Sequence, residues 1–293
     1  MRILTVMDRL IDQYEEGSKK AEANGQQRHY YARSRPYHST QFLVADVIAA
    51  NETNEANIAY AKFSKGQQLY FFDYGIGASI DTGAGTSRRA TPADTNLVKA
   101  KSTNGASDYC IQALSLGVKD IRTMYSAEAI ALITSSLDPQ LVAALGGQNP
   151  IVDPGALVTP PQTQSPFNTE IPMWHGLQDN IDVELQWDGG TPSFKLGTAG
   201  MFPDASGKSQ MRSSGMPQAG NYYQVPEGYI WARDGEVESE FIVQATLQQD
   251  IIVPINLSLV PSDSTVAVIP TNIIVGVMCR LWGTEFAWQG ING

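Results

Sequence analysis

NIIVGVMCRLWGTEFAW, residues Asn272–Trp288, decides the predicted fold because both of its alternating faces are apolar. One face carries Ile273, Val275, Val277, Cys279 and Leu281, and the other carries Ile274, Met278, Trp282 and Phe286. Successive side chains of a strand point to opposite sides of a sheet, so this pattern is typical of a strand covered on both sides. We therefore predict a central strand with one face in the core. The other face is predicted to lie against a helical insertion or a neighbouring subunit.

Further strand patterns precede this stretch along most of the chain. Two of them, residues 237–247 and 251–260, end close to it, at the spacing of all-β sandwiches. Earlier apolar or alternating runs, bounded by polar loops, occupy residues 42–49, 68–74, 109–118, 180–188 and 229–233. The sequence thus predicts a mostly all-β fold.

The composition agrees with a β-rich fold and limits the classes of partner. The chain has 293 residues, enough for one large β domain or two smaller ones with a substantial core. Charged residues make up only 17%, which favours β-structure with long polar loops. The formal net charge of −10 argues against a surface devoted to nucleic acid, because phosphate neutralisation needs concentrated Lys and Arg. The net charge does not exclude a local basic patch.

Residues 1–40 are predicted to form an N-terminal helix and arm. Apolar residues at helical spacing with interleaved charges predict an amphipathic helix over residues 1–20. The segment QRHYYARSRPYHST that follows, residues 27–40, contains no acid and carries Arg28, Tyr30, Tyr31, Arg33, Arg35 and Tyr37. Arginines among aromatics bind phosphates and bases or lie at a membrane headgroup layer, so these six residues are the candidate site. The favoured interpretation is an extended arm that packs on a neighbouring subunit or on its own barrel, and contact with a membrane or nucleic acid is the alternative.

Residues 41–293 are predicted to form one β domain with two insertions, at about residues 119–179 and 189–227. The first insertion contains a short helical pair, with Ser126 and Asp138 as the caps, followed by a proline-rich surface crossing. The second is rich in Gly, Ser, Met and Pro. A loop of this size in a compact domain is more often a binding or assembly element than idle length.

The two cysteines, Cys110 and Cys279, each lie in an apolar strand pattern. Such cysteines commonly behave as small buried hydrophobes, and a disulfide between two core strands is the alternative. No stretch approaches the roughly eighteen apolar residues of a transmembrane helix, and residues 1–17 lack an uninterrupted apolar signal core. We expect the chain to be made and folded in a cytoplasm.

One short motif suggests a catalytic mechanism. Asp81-Thr82-Gly83 looks like the active-site turn of retroviral-type aspartic proteases, in which two such aspartates share a proton. The apolar-apolar-Gly element that those proteases place further on could be sought at residues 274–276, far beyond the compact unit. A Gly-rich loop that uses Asp and Gly for turn geometry is the favoured interpretation.

The remaining acids and histidines show no cluster with the spacing of metal ligands. Two histidines lie in the predicted arm and one in the proline-rich crossing: His29, His38 and His175. Asp179, Asp182 and Glu184 offer calcium ligands, but alternating acids on a strand are typical of its solvated face. No nucleophile elbow, phosphate loop or dinucleotide fingerprint is present. We therefore expect no enzyme activity and no cofactor.

Three segments carry a resemblance to a known family. They are FFDYGIGASIDTGAG at residues 71–85, TPADTNLVKAKSTNGASDYCIQALSLGV at 91–118 and PTNIIVGVMCRLWGTEF at 270–286. Their strands and loops resemble jelly-roll capsid proteins of tailless icosahedral bacteriophages, especially those that enclose a membrane. The resemblance implies one jelly roll of two four-stranded sheets, because about ten strand patterns fall short of the roughly sixteen strands of a double roll. It also implies an arm that reaches adjacent capsomers or an internal viral membrane.

This resemblance implies a structural virion protein, the major capsid protein of an icosahedral shell. The expected partners are other copies of the chain in trimeric capsomers and other capsid proteins, without specific nucleic-acid recognition. The expected location is the virion, after assembly in the host cytoplasm. The alternative is a β-sandwich spike that binds a receptor or glycan through loop aromatics such as Tyr222, Tyr223 and Trp231. A hydrolase that uses Asp81 is the third class.

Overall fold

The structure, a computed structural model, describes residues 6–26, 29–49, 58–83, 85–97, 107–124, 174, 176–187, 193–202, 205, 223–233, 241–256 and 271–288. These residues form the α-helix Val6–Ala23, a short 3-10 helix and thirteen strands, and residues 174 and 176–178 are also helical. The predicted mostly all-β class is therefore confirmed. Within them the sheets form no closed barrel.

The helix and the strands follow one another along the chain with these bounds: α1 (Val6–Ala23), β1 (Tyr30–Ser34), β2 (Tyr37–Ala49), β3 (Ile58–Phe63), β4 (Gln68–Phe71), β5 (Ser79–Gly83), β6 (Thr86–Arg89), β7 (Ser107–Met124), β8 (Ile181–Trp187), β9 (Ser193–Thr198), β10 (Tyr223–Arg233), β11 (Phe241–Leu247), β12 (Ile251–Asn256) and β13 (Asn272–Trp288). The 3-10 helix Ala199–Met201 follows β9 directly.

The strands form a large sheet, a small sheet and a separate hairpin. The large sheet has the order β10-β7-β13-β2-β3-β12, and β1 also pairs with β13. The small sheet has the order β4-β11-β8-β9, and β5 pairs with β6. All of these pairs are antiparallel.

Strand β13 lies inside the large sheet, as predicted, between β7 and β2. Its bounds coincide with the predicted stretch. β1 continues the pairing of β2 in one unbroken register that ends with Tyr30 opposite Trp288. Pro36 interrupts this long strand because it has no backbone N–H to donate. Residues 30–34 and 37–40 of the predicted arm therefore belong to the large sheet.

The core lies between the large and the small sheet. The predicted inner face of β13 is buried there, with Ile273, Val275, Val277, Cys279 and Leu281 in one cluster. The small sheet contributes Leu69, Phe71, Val183, Leu185, Val243 and Ala245 to the same cluster. Burial of apolar surface between the two sheets is the main term that stabilises this arrangement.

Two elements of the chain itself cover the opposite face of β13. Phe286 lies beneath α1, and Ile274 lies beside Gly83 of the β5–β6 hairpin. The expected cover was a helical insertion or a neighbouring subunit, so the structure corrects this expectation at both positions. The predicted helical pair lies outside the described residues, and so does the side chain of Trp288.

The predicted N-terminal helix is present as α1, and its apolar side packs on the large sheet. Leu10 and Tyr14 are buried with Cys110 and Phe286. The Tyr14 hydroxyl donates a hydrogen bond to Oδ2 of Asp108 at 2.9 Å, and it lies 3.2 Å from the carbonyl oxygen of Phe286. An apolar stripe and one buried hydroxyl thus hold the helix to β7 and β13.

Several strands differ from the prediction for identifiable reasons. β7 continues to Met124, into the predicted first insertion, because its pairing with β13 passes through two bulges that break the period-two pattern. β9 lies inside the predicted second insertion of residues 189–227. The strands β3, β5, β6 and β9 have only four to six residues each, too short for a clear alternation.

Gly83 is the residue at which the hairpin approaches the large sheet. Its φ is +95°, in the region that side chains rarely adopt. A Cβ placed there would lie 2.5 Å from Cγ2 of Val44 and 3.4 Å from Cδ1 of Ile274. Gly85 also has a positive φ, of +77°, but a Cβ there would meet nothing within 4 Å.

Gly83→Ala is expected to destabilise the protein by about 2–5 kcal/mol, because it adds overpacking to left-handed backbone strain. Gly85→Ala is the matched control, with strain alone and an expected cost of about 1–2 kcal/mol. Urea denaturation followed by circular dichroism measures both free energies of unfolding. Equal costs for the two variants would contradict the close contact of Gly83 with the sheet.

Candidate functional site

The candidate arginines and tyrosines divide between the two faces of β1 and β2. Tyr31, Arg33, Arg35 and Tyr37 alternate along the strand and share the face that turns toward the core. Tyr30 points to the other face, where its ring lies 5.4 Å from that of Tyr14. The sixth candidate, Arg28, lies outside the described residues.

The two arginines meet a buried carboxylate, Glu285 on β13, which is only 4% exposed. Arg33 lies directly opposite Glu285 in the β1–β13 register. Its Nε donates to Oε2 of Glu285 at 2.7 Å, and its Nη2 lies 2.7 Å from the same oxygen. Nη1 of Arg35 lies 3.3 Å from Oε2, and the Tyr37 hydroxyl donates to Oε1 at 3.3 Å.

Aromatic rings hold these guanidinium groups in place. Cζ of Arg33 lies 5.3 Å from the ring centre of Tyr31, and Cζ of Arg35 lies 5.0 Å from that of Tyr37. The rings of Tyr37 and Tyr109 pack edge to face at 4.8 Å. The Tyr109 hydroxyl donates to the carbonyl oxygen of Arg35 at 2.6 Å. The cluster is therefore pre-organised by the chain itself.

Burial and charge act in opposite directions on this cluster. Burial alone would raise the pKa of Glu285, but the hydrogen bonds and charges of Arg33 and Arg35 outweigh it and lower the pKa. The hydrogen bond to Glu285 raises the pKa of Arg33, and burial raises the pKa of the Tyr109 hydroxyl. Glu285 is therefore ionised at neutral pH, and the cluster carries two positive charges against one negative charge.

The cluster reaches the surface through its arginines. The side chain of Arg33 is 51% exposed and that of Arg35 is 34% exposed, while Glu285 is enclosed. The structure therefore joins four of the six candidate residues into one half-neutralised cationic site. Its binding to a membrane or to nucleic acid remains a prediction.

A second buried ion-pair cluster surrounds Asp94 on the other side of the large sheet. Arg88 donates to both oxygens of Asp94, at 2.6 and 2.8 Å. The backbone N–H and the hydroxyl of Thr91 donate to Oδ2 at 2.9 and 2.8 Å, and Nζ of Lys119 lies 3.5 Å from Oδ1. Burial would raise the pKa of Asp94, but these partners hold it well below its usual range. The cluster ties β6 to β7.

Asp81, the candidate protease residue, is used locally in the hairpin. Its carboxylate is exposed, and Oδ1 accepts a hydrogen bond from the backbone N–H of Gly83 at 2.8 Å. Thr82 bonds within the same hairpin, to Thr86. These contacts are those of a turn that uses Asp and Gly for its geometry.

Within the described residues, no group of three His, Cys, Asp or Glu side chains is placed to hold a metal ion. On β8, Asp182 and Glu184 lie on the partly exposed face, and Glu184 pairs with Lys195 at 3.6 Å. His175 and Tyr222 lie outside the described residues, as do the side chains of Tyr223 and Trp231. Cys110 and Cys279 are buried free thiols whose pKa is raised by burial.

Glu285 and Asp94, the two acids that organise these clusters, are not among the site residues predicted from the sequence. Glu285 lies on the same face of β13 as Leu281, so a charge that continues an apolar face marks a buried ion pair. The arginines of residues 27–40 have no acid within that segment, so they are the expected ionic partners of Glu285. Asp94, three residues after Thr91 in a turn, has the pattern of a local cap but gives no sign of Arg88 or Lys119.

Comparisons with protein-family models, curated proteins and solved structures found no match for this chain. No helix within the described residues is long and apolar enough to span a membrane. Function therefore has to be inferred from the strand arrangement, the surface and the two charged clusters, and the resemblance to capsid proteins stays a prediction.

Asp94→Asn is expected to destabilise the protein by about 2–4 kcal/mol, because it leaves Arg88 and Lys119 without their buried counter-charge. Asp179→Asn is the control, since Asp179 is exposed, and its effect should stay within about 0.5 kcal/mol. The measurement is the urea midpoint at neutral pH with an unchanged slope. A midpoint of the Asp94 variant equal to that of the control would contradict the structural role of the cluster.

Glu285→Gln tests the pH dependence of the arginine cluster. A lowered pKa in the folded state means that the charge of Glu285 stabilises the fold above the ordinary carboxyl pKa of 4.5, and that this stability is lost as the pH falls further. The variant should therefore be less stable than the wild type by about 1–3 kcal/mol at pH 7. The difference should shrink in thermal scans below pH 4.5. Glu184→Gln, at a surface pair, should show a difference of less than about 1 kcal/mol throughout.

Proposed function

We propose that this chain is a single jelly roll that serves as the major capsid protein of an icosahedral virion. The observation that carries the proposal is the nested pairing of eight strands, which in chain order are β2, β4, β7, β8, β9, β10, β11 and β13. The first pairs with the eighth, the second with the seventh, the third with the sixth and the fourth with the fifth.

These nested pairs alternate between the two sheets. The pairs β2–β13 and β7–β10 belong to the large sheet, and β4–β11 and β8–β9 belong to the small sheet. A long antiparallel ribbon rolled in this way is the jelly-roll arrangement, which viral capsid domains, lectins and cupins use. The strands β3 and β12 pair with each other and widen the large sheet beyond β2. The choice among these classes has to rest on the surface, because fold alone does not determine function.

Exposed apolar side chains on the large sheet favour assembly. On the outer face beside β12, Ile48 is 44% exposed and Ile252 is 59% exposed. β12 is the last strand at this edge of the sheet within the described residues. Pro254 in β12 offers no N–H, so a further strand cannot add along the whole edge. A partner is therefore expected to pack across the face of the sheet.

The proposed partners are other copies of the chain in trimeric capsomers and other capsid proteins, in the virion and during its assembly in the host cytoplasm. An extensive low-charge surface with long loops suits such contacts. Contact of residues 1–40 with an internal viral membrane is a further part of the proposal. α1 supports it least, because its apolar side is already packed against β7 and β13.

The outer face of the small sheet favours a second candidate, a glycan- or receptor-binding spike. It presents amides and hydroxyls of Gln68, Tyr70, Gln186, Gln244 and Thr246. Gln244 bonds both Gln186 and Thr246, the latter at 3.1 Å. A polar face with an exposed tyrosine has groups that can form hydrogen bonds with sugars and stack on their rings. An aspartic-type hydrolase has less support, because Asp81 is bonded within its own hairpin.

Electron microscopy and sedimentation velocity of the purified full chain test the proposal. The expected result is a closed particle or a regular lattice, with monomers or trimers only at low concentration. Asp81→Ala should assemble in the same way. A chain that stays monomeric at all concentrations and binds sugars on a glycan array would overturn the capsid proposal in favour of the spike.

A further inference from the structure

We propose that copies of this chain join head to tail, with exposed carboxylates of α1 in one copy bound by the Arg33 and Arg35 guanidinium groups of the next. This inference rests on the proposed function and assigns one of the contacts that an assembling subunit needs. It is carried by the placement of exposed carboxylates and of exposed guanidinium groups on opposite faces of the same sheet end.

Neighbouring residues of β13 show this placement. Glu285 points to one face, where it holds Arg33, and Phe286 points to the other, where it lies beneath Tyr14 of α1. The exposed carboxylates of α1 and the guanidinium groups of Arg33 and Arg35 are therefore separated by the thickness of the sheet. They cannot neutralise each other within one copy.

The cluster has donors to spare. Arg33 alone makes two contacts with Glu285, so the buried carboxylate is neutralised without Arg35. Within the described residues, the Arg35 guanidinium reaches Glu285 through Nη1 only. Its backbone is held by a hydrogen bond from its N–H to the carbonyl oxygen of Gly283 at 3.1 Å. A third of its side chain is exposed. Its planar guanidinium group can therefore donate hydrogen bonds to one further anionic oxygen group.

Charge balance favours a carboxylate over a polyanion. The cluster has one positive charge in excess, which matches one carboxylate, whereas nucleic acid binding requires that many phosphates be neutralised together. A carboxylate on another copy of this acidic chain is the occupant that fits.

The exposed side of α1 supplies suitable carboxylates. Leu10 and Tyr14 hold the helix to the sheet, and Asp12, Glu15 and Glu16 are exposed on its other sides. Glu16 also forms an exposed pair with Lys20 at 3.8 Å, which leaves Asp12 and Glu15 as the stronger candidates. The helix is fixed to its own sheet, so the backbone that carries these acids needs no further ordering when they bind.

A contact between different surfaces of identical copies is heterologous. Such contacts form closed rings when the rotation between copies closes, and open filaments when it does not. Because the two surfaces lie on opposite faces of one sheet end, each copy presents the α1 carboxylates on one face and the guanidinium groups on the other. Repetition of the contact therefore builds rows of copies.

Cysteine trapping in the full chain tests the inference directly. The Glu15→Cys, Arg35→Cys double variant keeps Asp12, Glu16 and Arg33, so it should still make the contact at protein concentrations well above the half-assembly point of the wild type. Under mild oxidation it should then form a ladder of disulfide-linked copies, because each copy can bond to one neighbour at each site. Asp12→Cys and Glu16→Cys are paired with Arg35→Cys in the same way. Each single variant has one new cysteine per copy, so its disulfide-linked species should not exceed a dimer. Cys110 and Cys279 are buried and should not compete.

Charge variants supply the second arm of the test. Glu15→Lys should raise the concentration needed for half-assembly by roughly tenfold, because the contact becomes repulsive. Arg35→Gln should act in the same direction while Arg33 still neutralises Glu285. Asp179→Lys is the control, with the same charge change at an exposed site away from α1, and should assemble like the wild type. Increasing NaCl should weaken the wild type toward the variants.

The outcomes separate this inference from the proposed function. A wild type that assembles while all three double variants give no ladder overturns the inference alone. It is also overturned if Glu15→Lys assembles like Asp179→Lys, or if Arg35→Gln assembles normally but loses binding of polyphosphate. Both proposals are overturned if the wild type does not assemble and the double variants do not cross-link.

Discussion

The pairing of β13 with β7 on one side and with the joined strand β1–β2 on the other is the constraint on which the structure depends. These pairings run along the whole of a 17-residue strand and bring residues 30–46 together with residues 272–288 at the centre of the large sheet. Every other main element is placed relative to this strand. Its inner face meets the small sheet, and its outer face carries α1 at one end and the β5–β6 hairpin at the other.

Unequal strand lengths explain where the charged cluster lies. β7 and β13 have 18 and 17 residues, whereas the strands of the small sheet have four to seven. Within the described residues, the large sheet therefore extends beyond the small one, and its core-side face continues past the strands of the small sheet. A charge there can be half-enclosed by tyrosines and still reach water, as Arg33 and Arg35 do around Glu285.

Both charged clusters have the same construction, in which a nearly enclosed acid is surrounded by basic side chains from other elements. Asp94 is bonded by Arg88 and Lys119, and Glu285 by Arg33 and Arg35. Each acid has two basic partners, so local positive charge appears on a chain whose net charge is −10. Such local excess in an acidic protein suits contacts between copies better than contacts with polyanions.

The sequence alone determined the elements whose signal is local. The two apolar faces of β13 and the helical spacing of α1 both need only neighbouring residues, and both elements are present. Tertiary structure decided the pairing order, the union of β1 with β2, and the binding of Arg33 by Glu285, 252 positions away. Short strands such as β5 and β9 and the bulges of β7 carry no clear alternation, so they form only through pairing with a partner strand. The physical reason is that a strand becomes stable only through partners that sequence spacing does not reveal.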